Sequence, residues 1–228
     1  MTKVFNLSVA IPHTGSVVAE FALCLGQMLL ALQKHRIPGY DTIGCSVTAK
    51  KSSLLAKSRQ ELVSEAIAGG FSHLLFLDSD QTFPASVAHR LAGWHKPVVA
   101  CNIPTKVLPS TPTARNRGSD WYAGDVVYSH GKRGLEEVWR VGTGVMLIDL
   151  AVMAKLPKPW FNMEYRAEHN DFVGEDWFFC ERLEQAGVPL FVDHDLSLEV
   201  GHKGEYLFKH SDIPSVQTKL LKVVQRER

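Results

Sequence analysis

The sequence lacks three features that would define its class at once: a long apolar run, closely spaced cysteines and an excess of charge. It carries 25 Lys and Arg against 24 Asp and Glu, a net charge of +1 with His neutral. Balanced charge disfavours a general nucleic-acid binder, although it allows a specific one. Because no apolar stretch reaches the ~18 residues of a membrane span, we expect no transmembrane segment. The hydrophobic content of 45% excludes a disordered or collagen-like chain.

The few cysteines indicate a reducing compartment. They show no CxxC spacing, and each lies inside an apolar stretch. The four are Cys24, Cys45, Cys101 and Cys180. This pattern favours buried, reduced thiols, so we expect a cytoplasmic protein.

The first half of the chain alternates strand and helix patterns. Apolar runs predict strands at residues 4–11, 41–47, 73–78 and 97–101, and helical spacing predicts helices at 16–36, 54–68 and 84–94. Such alternation implies right-handed crossovers, so we expect a mostly parallel sheet with helices on both faces. At 228 residues the whole chain is expected to form one α/β domain.

The pattern changes after about residue 102. Residues 103–134 are rich in Pro, Thr, Gly and Arg, which predicts long loops and a hairpin around 121–128. Further along, the sequence predicts strands at 138–141, 145–148, 188–192 and 196–200, a helix at 175–185, a short helix capped by Asp149, and a basic, helical tail from 213. The second half is therefore expected to be less regular than the first.

The first candidate site is Asp78-Ser79-Asp80, directly after an apolar run. Ligands of open α/β sheets collect at the carboxyl ends of strands. Two carboxylates at this position can turn toward one hard cation, which prefers oxygen ligands and shared phosphates. The alternative is that these residues only form a turn or cap the next helix.

Acidic residues also begin a predicted helix in Gly174-Glu175-Asp176-Trp177. One carboxylate there can act as a general base in a cleft. The alternative is a favourable interaction with the helix dipole, and taken alone this is the stronger interpretation.

A histidine between glycines follows a predicted strand in Gly201-His202-Lys203-Gly204. It lacks the apolar neighbours of a core histidine, and His is a common metal ligand. A surface histidine is the alternative. A rival metal cluster, Asp193-His194-Asp195, is better explained as a turn between two strands.

The last candidate is Arg59, on the helix that precedes the Asp78 strand. A guanidinium there can bind a diphosphate through two hydrogen bonds. The alternative is an exposed helical charge.

Together these motifs resemble the GT-A-fold glycosyltransferases of the family-2 type. The nucleotide half of that family is similar to the stretch 58–84, which includes HLLFLDSDQTFP; the acceptor-side strand is similar to VGTGVMLI at 141–148. Its acidic motif is similar to GEDWFFCER at 174–182, and its late metal histidine to GHKG at 201–204. The resemblance covers residues 4–204 in the family's order. Short chains of this kind resemble those of bacteria and bacteriophages, so the expected location is the bacterial or phage-infected cytoplasm.

The resemblance implies a Rossmann-like sheet with a nucleotide-binding half at about 1–102, an acceptor half at about 103–204 and a basic tail at 205–228. It also implies a nucleotide-sugar donor and Mn²⁺ or Mg²⁺. Asp80 and His202 would hold the ion, with Asp78 near the ion or the ribose and Arg59 near the diphosphate. The implied donor site further includes Pro12, His13 and Ser79.

The family's chemistry implies that Asp176 is the catalytic base of an inverting transfer, with Glu175 raising its pKa or orienting it. Related GT-A folds use a similar acidic motif in retaining transfer, so the resemblance leaves the stereochemical outcome open. Gly142, Thr143, Gly144 and Trp177 would shape the sugar and acceptor pocket. After the second strand, residues 46–50 lack the acidic residue that often reads the nucleotide ring, so the sequence leaves UDP and GDP open as the donor nucleotide.

Two other functions fit parts of the sequence. A nucleotidyltransferase would share the metal-held diphosphate, but it needs a basic, Gly-rich loop that residues 11–16 do not provide. A catalytically inactive carbohydrate- or nucleic-acid-binding module would have little use for three convergent carboxylates.

The acceptor is expected to be a saccharide or a hydroxylated phage DNA. Basic side chains in 103–134 and in the tail favour a polyanion, whereas Trp121, Tyr122 and Trp177 offer stacking faces for a sugar. The sequence alone does not define the oligomeric state.

Overall fold

The computed structural model describes residues 3–118 and 124–214. The strands are β1 (Val4–His13), β2 (Thr42–Lys51), β3 (His73–Leu77), β4 (Gln81–Thr82), β5 (Val98–Ala100), β6 (Arg115–Asn116), β7 (Asp125–Val126), β8 (Leu135–Val138), β9 (Val145–Asp149), β10 (Glu164–Arg166), β11 (Asp171–Val173), β12 (Leu190–Asp193), β13 (Gly201–Lys203) and β14 (Leu207–Phe208). The α-helices are α1 (Ala19–Lys34), α2 (Leu55–Ala68), α3 (Val87–Gly93), α4 (Glu175–Gln185) and α5 (His194–Ser197), and two 3₁₀ helices span Leu150–Lys155 and His210–Asp212.

A seven-stranded sheet of order β2-β1-β3-β9-β5-β12-β8 forms the centre of the molecule. β1 pairs in parallel with β2 and β3, and β12 pairs in parallel with β5. β9 is antiparallel to both of its neighbours, and β8 is antiparallel to β12. Five of the seven strands therefore point the same way, so the sheet is mostly parallel, and strands from both halves of the chain share it.

Two hydrophobic cores cover the two faces of this sheet. Alternate residues of β3 divide between them, since Leu75 and Leu77 pack in one core and Leu74 and Phe76 in the other. α1 and α3 cover the first face, whereas α2 and α4 cover the second. Period-two alternation in buried strands produces this arrangement.

The apolar β1 and β3 are neighbours, so their carboxyl ends lie at one edge of the sheet. The first strand was expected at 4–11, before Pro12, but β1 continues to His13. β3 pairs with β1 only from Leu7 to Ala10, so β1 is an edge strand on that side at Pro12, where a missing N–H is tolerated.

A three-stranded sheet of order β14-β13-β4 lies beyond the end of β3. Antiparallel pairing places His202 opposite Gln81 and Gly201 opposite Thr82. A Cβ atom at Gly201 would lie 2.6 Å from Oγ1 of Thr82, so only glycine permits this close approach. This small sheet joins two segments that are far apart in the sequence.

The region after β12 differs from the prediction. Residues 196–200 were expected to be a strand, but the chain turns into α5. The carboxylate of Asp193 accepts a hydrogen bond from the backbone N–H of Leu196, which is the geometry of a helix N-cap. The segment Asp193-His194-Asp195 is therefore a helix start rather than a turn between strands.

Other predictions differ only in position. The strand expected at 138–141 is β8, which ends at Val138. The arms of the expected hairpin are β6 and β7, but Trp121 and Tyr122 lie outside the described residues, as does the tail from 215 onward. The 3₁₀ helix after β9 is capped by Asp149, which confirms that prediction.

The expectation of four buried cysteines is partly wrong. All four thiols are free; Cys101 and Cys180 are buried, Cys24 is half-buried, and Cys45 is exposed. Cys45 is exposed because β2 is an edge strand.

Within 3–118 and 124–214, no helix has the length and apolar character to cross a membrane.

Candidate active site

The site begins where β3 ends, at Asp78-Ser79-Asp80. The backbone N–H of Asp78 donates to the carbonyl of Gly144 at 2.8 Å. A Cβ atom at Gly144 would meet Ile103 at 2.8 Å and Oδ2 of Asp78 at 3.0 Å, so the side chain of Asp78 needs a glycine there. The carbonyl of Ser79 accepts a hydrogen bond from the N–H of Val18, just before α1.

Arg59 lies at the centre of a group of carboxylates. Its side chain is only 1% exposed, so it is not the exposed helical charge of the alternative interpretation. Nη2 donates to both carboxylate oxygens of Asp78, at 3.0 and 3.1 Å. Nε lies 3.6 Å from Glu175, and Nη2 lies 3.8 Å from Asp176. We name Arg59, Asp78, Glu175 and Asp176 the guanidinium cluster.

The guanidinium cluster has one cation for three carboxylates, and this imbalance shifts its proton affinities. Burial raises the pKa of Asp78, the charge of Arg59 opposes that shift, and Asp176 and Asp80 add to it. Burial and the neighbouring Asp176 also raise the pKa of Glu175. Carboxyl groups that favour their protonated form are typical of active sites.

Asp176 lies at the start of α4 and is about one-third exposed. The hydroxyl of Thr143 donates a hydrogen bond to its Oδ1, although Thr143 itself is fully buried. The segment that connects β8 to β9 therefore orients the carboxylate that was predicted to be the base.

A second group, named the Asp80 cluster, consists of Asp80, His202 and Lys106. Nε2 of His202 lies 3.3 Å from Oδ1 of Asp80, and Nζ of Lys106 forms an ion pair with Oδ2. The backbone N–H of Lys203 donates to the carbonyl of Asp80 at 2.7 Å. This bond and the β4–β13 pairing bring Asp80 and His202 together.

The ring of His202 has a defined orientation. Its Nδ1 lies 3.0 Å from the carbonyl oxygen of Pro104, which can only accept, so Nδ1 carries a hydrogen and donates it. The lone pair of a neutral ring is then on Nε2, which faces Asp80. A carboxylate and an imidazole lone pair this close need a cation between them, either a proton or a metal ion.

The environment strongly favours the ionised form of Asp80. Burial raises the pKa of this carboxyl group, but the neighbouring His202 and Lys106 outweigh that effect and lower the pKa to about 2. Asp80 is therefore a carboxylate at neutral pH.

The donor set fits a divalent cation in chemistry and in charge. Two ligands at 3.3 Å are spaced as neighbours around one ion with bonds of about 2.1 Å. When all four are ionised, the carboxylates of the two clusters face only two permanent cations, Arg59 and Lys106, which leaves two excess negative charges. In the described part of the chain, no three His, Cys, Asp or Glu side chains form a complete metal site.

The other predicted site residues lie around these clusters. Pro12 and His13 end β1, beside β3 at the same sheet edge. Gly142 packs against Thr113, where a Cβ atom would be 3.3 Å from that hydroxyl. Trp177 lies in the first turn of α4 with the guanidinium of Arg140 over its ring at 4.6 Å.

Sequence reasoning did not identify two of the contacts. Lys106 was grouped with the basic residues of 103–134, and no motif marked it as the partner of Asp80. Thr143 was assigned to the acceptor pocket, whereas its hydroxyl contacts Asp176. Thr143 lies between two glycines, which is a signal for a tightly packed loop but not for its partner.

A cavity of about 660 Å³ lies between β8 and α4. In its lining, Arg117 and the indole N–H of Trp139 both donate to Glu184. None of the predicted site residues lines this cavity, so we do not place the chemistry there.

Comparisons with known proteins define the fold. A scan against protein-family models gives no match, and neither does a search of curated proteins. Among solved structures, A197 from STIV matches with a TM-score of 0.55 and 17% identity over 92% of this chain and 97% of that one. GalNAc-T7 with UDP, GalNAc and Mn²⁺ matches with a TM-score of 0.55 and 12% identity over 90% of this chain and 45% of that one.

The chain therefore has a GT-A-like fold, a mixed α/β architecture with a large, mostly parallel sheet flanked by helices. This confirms the predicted fold class. At these identities the likeness shows the fold alone.

Proposed function

We propose that the protein is a glycosyltransferase that moves a sugar from a nucleoside-diphosphate sugar to an acceptor hydroxyl. The observation that carries this proposal is the contact between Asp80 and His202, next to the guanidinium cluster. A carboxylate, an oriented imidazole and a candidate base at the carboxyl edge of a GT-A-like sheet can supply the metal ligands and the proton acceptor of a metal-assisted transfer.

Asp80 and His202 would hold a Mn²⁺ or Mg²⁺ ion, with Asp78 behind them. When bound, the ion neutralises the negative charge that develops on the departing diphosphate. UDP and Mn²⁺ accompany GalNAc-T7, and this supports UDP as the donor nucleotide here. Pro12, His13 and Ser79 border the region that we assign to the nucleotide.

Arg59 has a different role in this proposal from the diphosphate contact that the family resemblance implies. Its charge is already engaged by Asp78, Glu175 and Asp176, and it is buried. We assign it the task of holding the three carboxylates close together despite their mutual repulsion.

Asp176 would accept the proton of the acceptor hydroxyl. The hydroxyl oxygen forms a bond to the anomeric carbon, the bond from that carbon to the donor phosphate breaks, and the nucleoside diphosphate leaves with the electron pair. Thr143 fixes one oxygen of Asp176, so the other can face the acceptor. Attack from the face opposite to the leaving group inverts the anomeric centre.

A saccharide is the acceptor that the described residues favour over hydroxylated DNA. The basic side chains of 103–134 were the reason to consider DNA, but four of them are balanced by carboxylates, so they add little net positive charge, and Arg115 donates to backbone carbonyls. Trp177 follows Asp176 in the first turn of α4, and we assign its indole to the acceptor pocket.

The direct test is hydrolysis and transfer with a panel of nucleotide sugars in the presence of Mn²⁺. We expect one donor to be consumed, and EDTA to stop its consumption. If no nucleotide sugar is hydrolysed or stabilises the protein against heat, the proposal is wrong. Transfer that weakens steeply between low and moderate salt would instead favour a polyanionic acceptor.

A further inference from the structure

Lys106 lies on a loop that is closed by hydrogen bonds between its own backbone groups. The proposed function gives this lysine no role. Pro104 and Pro112 form an antiparallel bridge, and the N–H of Thr105 donates to the carbonyl of Thr111 at 2.8 Å. The N–H of Ser110 donates to the carbonyl of Asp212. We name residues 103–113 the lysine loop.

The lysine loop is also tied directly to the proposed metal ligands. The carbonyl of Pro104 accepts the hydrogen bond from His202, and Lys106, two residues later, forms its ion pair with Asp80. Cδ of Lys106 lies 3.7 Å from the point that a Cβ atom would occupy at Gly204. The same loop thus orients one ligand and neutralises the other.

Lys106 and a divalent ion compete for Asp80. Its Oδ2 is occupied by the ammonium group and its Oδ1 faces His202. An ion on Asp80 lies so close to the ammonium group that the two positive charges repel each other, unless an anion lies between them. A diphosphate is such an anion, and the flexible four-carbon stem of a lysine lets its charge shift to a phosphate oxygen.

On the basis of the proposed function, we propose that Lys106 exchanges Asp80 for the donor diphosphate when a divalent ion binds, so that the ion and the nucleotide bind cooperatively. Lys106 balances the charge of Asp80 and disfavours binding of the ion alone. With a donor present, it becomes a second cation for the diphosphate. It is a binding residue for the donor, on an element far from the Asp78-Ser79-Asp80 turn in the sequence.

The chain contains a matched control. Lys132 forms an ion pair with Glu136, and its side chain is 43% exposed against 37% for Lys106; the carboxylates are 26% and 29% exposed. Lys132 belongs to the same basic region but has no contact with either cluster among the described interactions. Lys132→Ala therefore removes an equivalent surface pair.

The experiment measures the affinities for Mn²⁺ alone and for UDP or GDP in the presence of Mn²⁺, by calorimetry on the full chain. In Lys106→Ala we expect Mn²⁺ alone to bind about five-fold more tightly and the nucleotide with Mn²⁺ to bind about ten-fold more weakly, a coupling loss within the usual range for linked sites. Lys106→Arg should retain most of the coupling, and Lys132→Ala should change neither affinity.

Tighter binding of Mn²⁺ together with weaker binding of the nucleotide distinguishes the proposed exchange from a simple loss of positive charge. If Lys106→Ala leaves both affinities unchanged, or weakens both, the exchange does not occur. If the unaltered protein binds neither nucleotide in the presence of Mn²⁺, the proposed function itself is wrong.

Discussion

The guanidinium cluster and the Asp80 cluster lie on either side of one tight turn, yet they are built in opposite ways. In the first, a fully buried cation is shared by three carboxylates, and it holds Asp78 with two hydrogen bonds. In the second, a lysine and a histidine, both partly exposed, approach one carboxylate. The cation of the first group is buried in the protein, whereas the second group is partly exposed, so a ligand can reach its charges.

The difference assigns a separate role to each cluster: the guanidinium cluster holds the base in place, and the Asp80 cluster binds ligands. Carboxylates around a buried guanidinium are fixed before any substrate arrives, which suits a proton acceptor that must be oriented. An ion pair that is about one-third exposed, such as that of Lys106 and Asp80, can exchange partners at little cost. Substitutions in the guanidinium cluster should therefore impair chemistry or folding, and those in the Asp80 cluster should alter affinity.

The largest effect is expected for Asp176→Asn. The amide can still accept the hydrogen bond of Thr143 but cannot take up a proton, so transfer should fall by about 10²–10⁴-fold. Donor binding, measured by calorimetry with Mn²⁺, should be unchanged. Full activity in this variant would remove Asp176 as the base.

Arg59→Met should have the next largest effect, on folding. It leaves three neighbouring carboxylates without their cation and should lower the free energy of unfolding by about 3–5 kcal/mol. Urea denaturation at neutral pH measures this change in the free energy of unfolding. Arg59→Lys is the matched variant and should restore part of the loss, because it keeps the charge but not the planar geometry. A change below about 1 kcal/mol in Arg59→Met would show that the cluster is not held by this residue.

His210, which contacts Asn102 directly before the lysine loop, should make the free energy of unfolding depend on pH. Burial lowers the pKa of His210 to about 4, and its Nε2 donates to the carbonyl of Asn102 at 2.6 Å. The unfolded chain takes up a proton below the ordinary value of 6.5, whereas the folded chain does so only near pH 4. This contribution is therefore intact above pH 6.5 and is lost as the pH falls toward 4, by about 3 kcal/mol in total.

Urea denaturation at several pH values between 7 and 4, with His210→Gln as the comparison, checks this dependence. The variant should show a shallower fall in stability. Equal slopes in the two proteins would contradict a neutral His210 in the folded state.

The smallest effect is expected for the stability of Lys106→Ala. An ion pair that is about one-third exposed contributes at most about 1 kcal/mol, so urea denaturation should barely distinguish the variant from the original protein. A loss of unfolding free energy as large as that of Arg59→Met would show that the Asp80 cluster also contributes to folding, and would contradict the difference between the clusters.

Local patterns in the sequence predicted the elements that are long and regular. The apolar run of β3 followed by Asp78 located the turn, and the acidic start of α4 located Asp176, because both depend on neighbouring residues. The alternation of apolar residues at 196–200 misled the prediction, since the N-cap at Asp193 commits the chain to a helix.

Long-range contacts could not be predicted in the same way. His202 reaches Asp80 through strands of two and three residues, which are too short to show any periodicity. Only the family resemblance joined these two residues. Burial of Arg59 among three carboxylates depends on the packing of α2 and α4 against one sheet face, and no local pattern encodes it.

The most direct test of the account is anomalous diffraction from crystals grown with Mn²⁺ and UDP. We predict one strong manganese peak between the Asp80 carboxylate and Nε2 of His202, with the diphosphate beside it and Asp176 in the same cleft. A peak elsewhere, or a diphosphate bound away from Asp80, would contradict it.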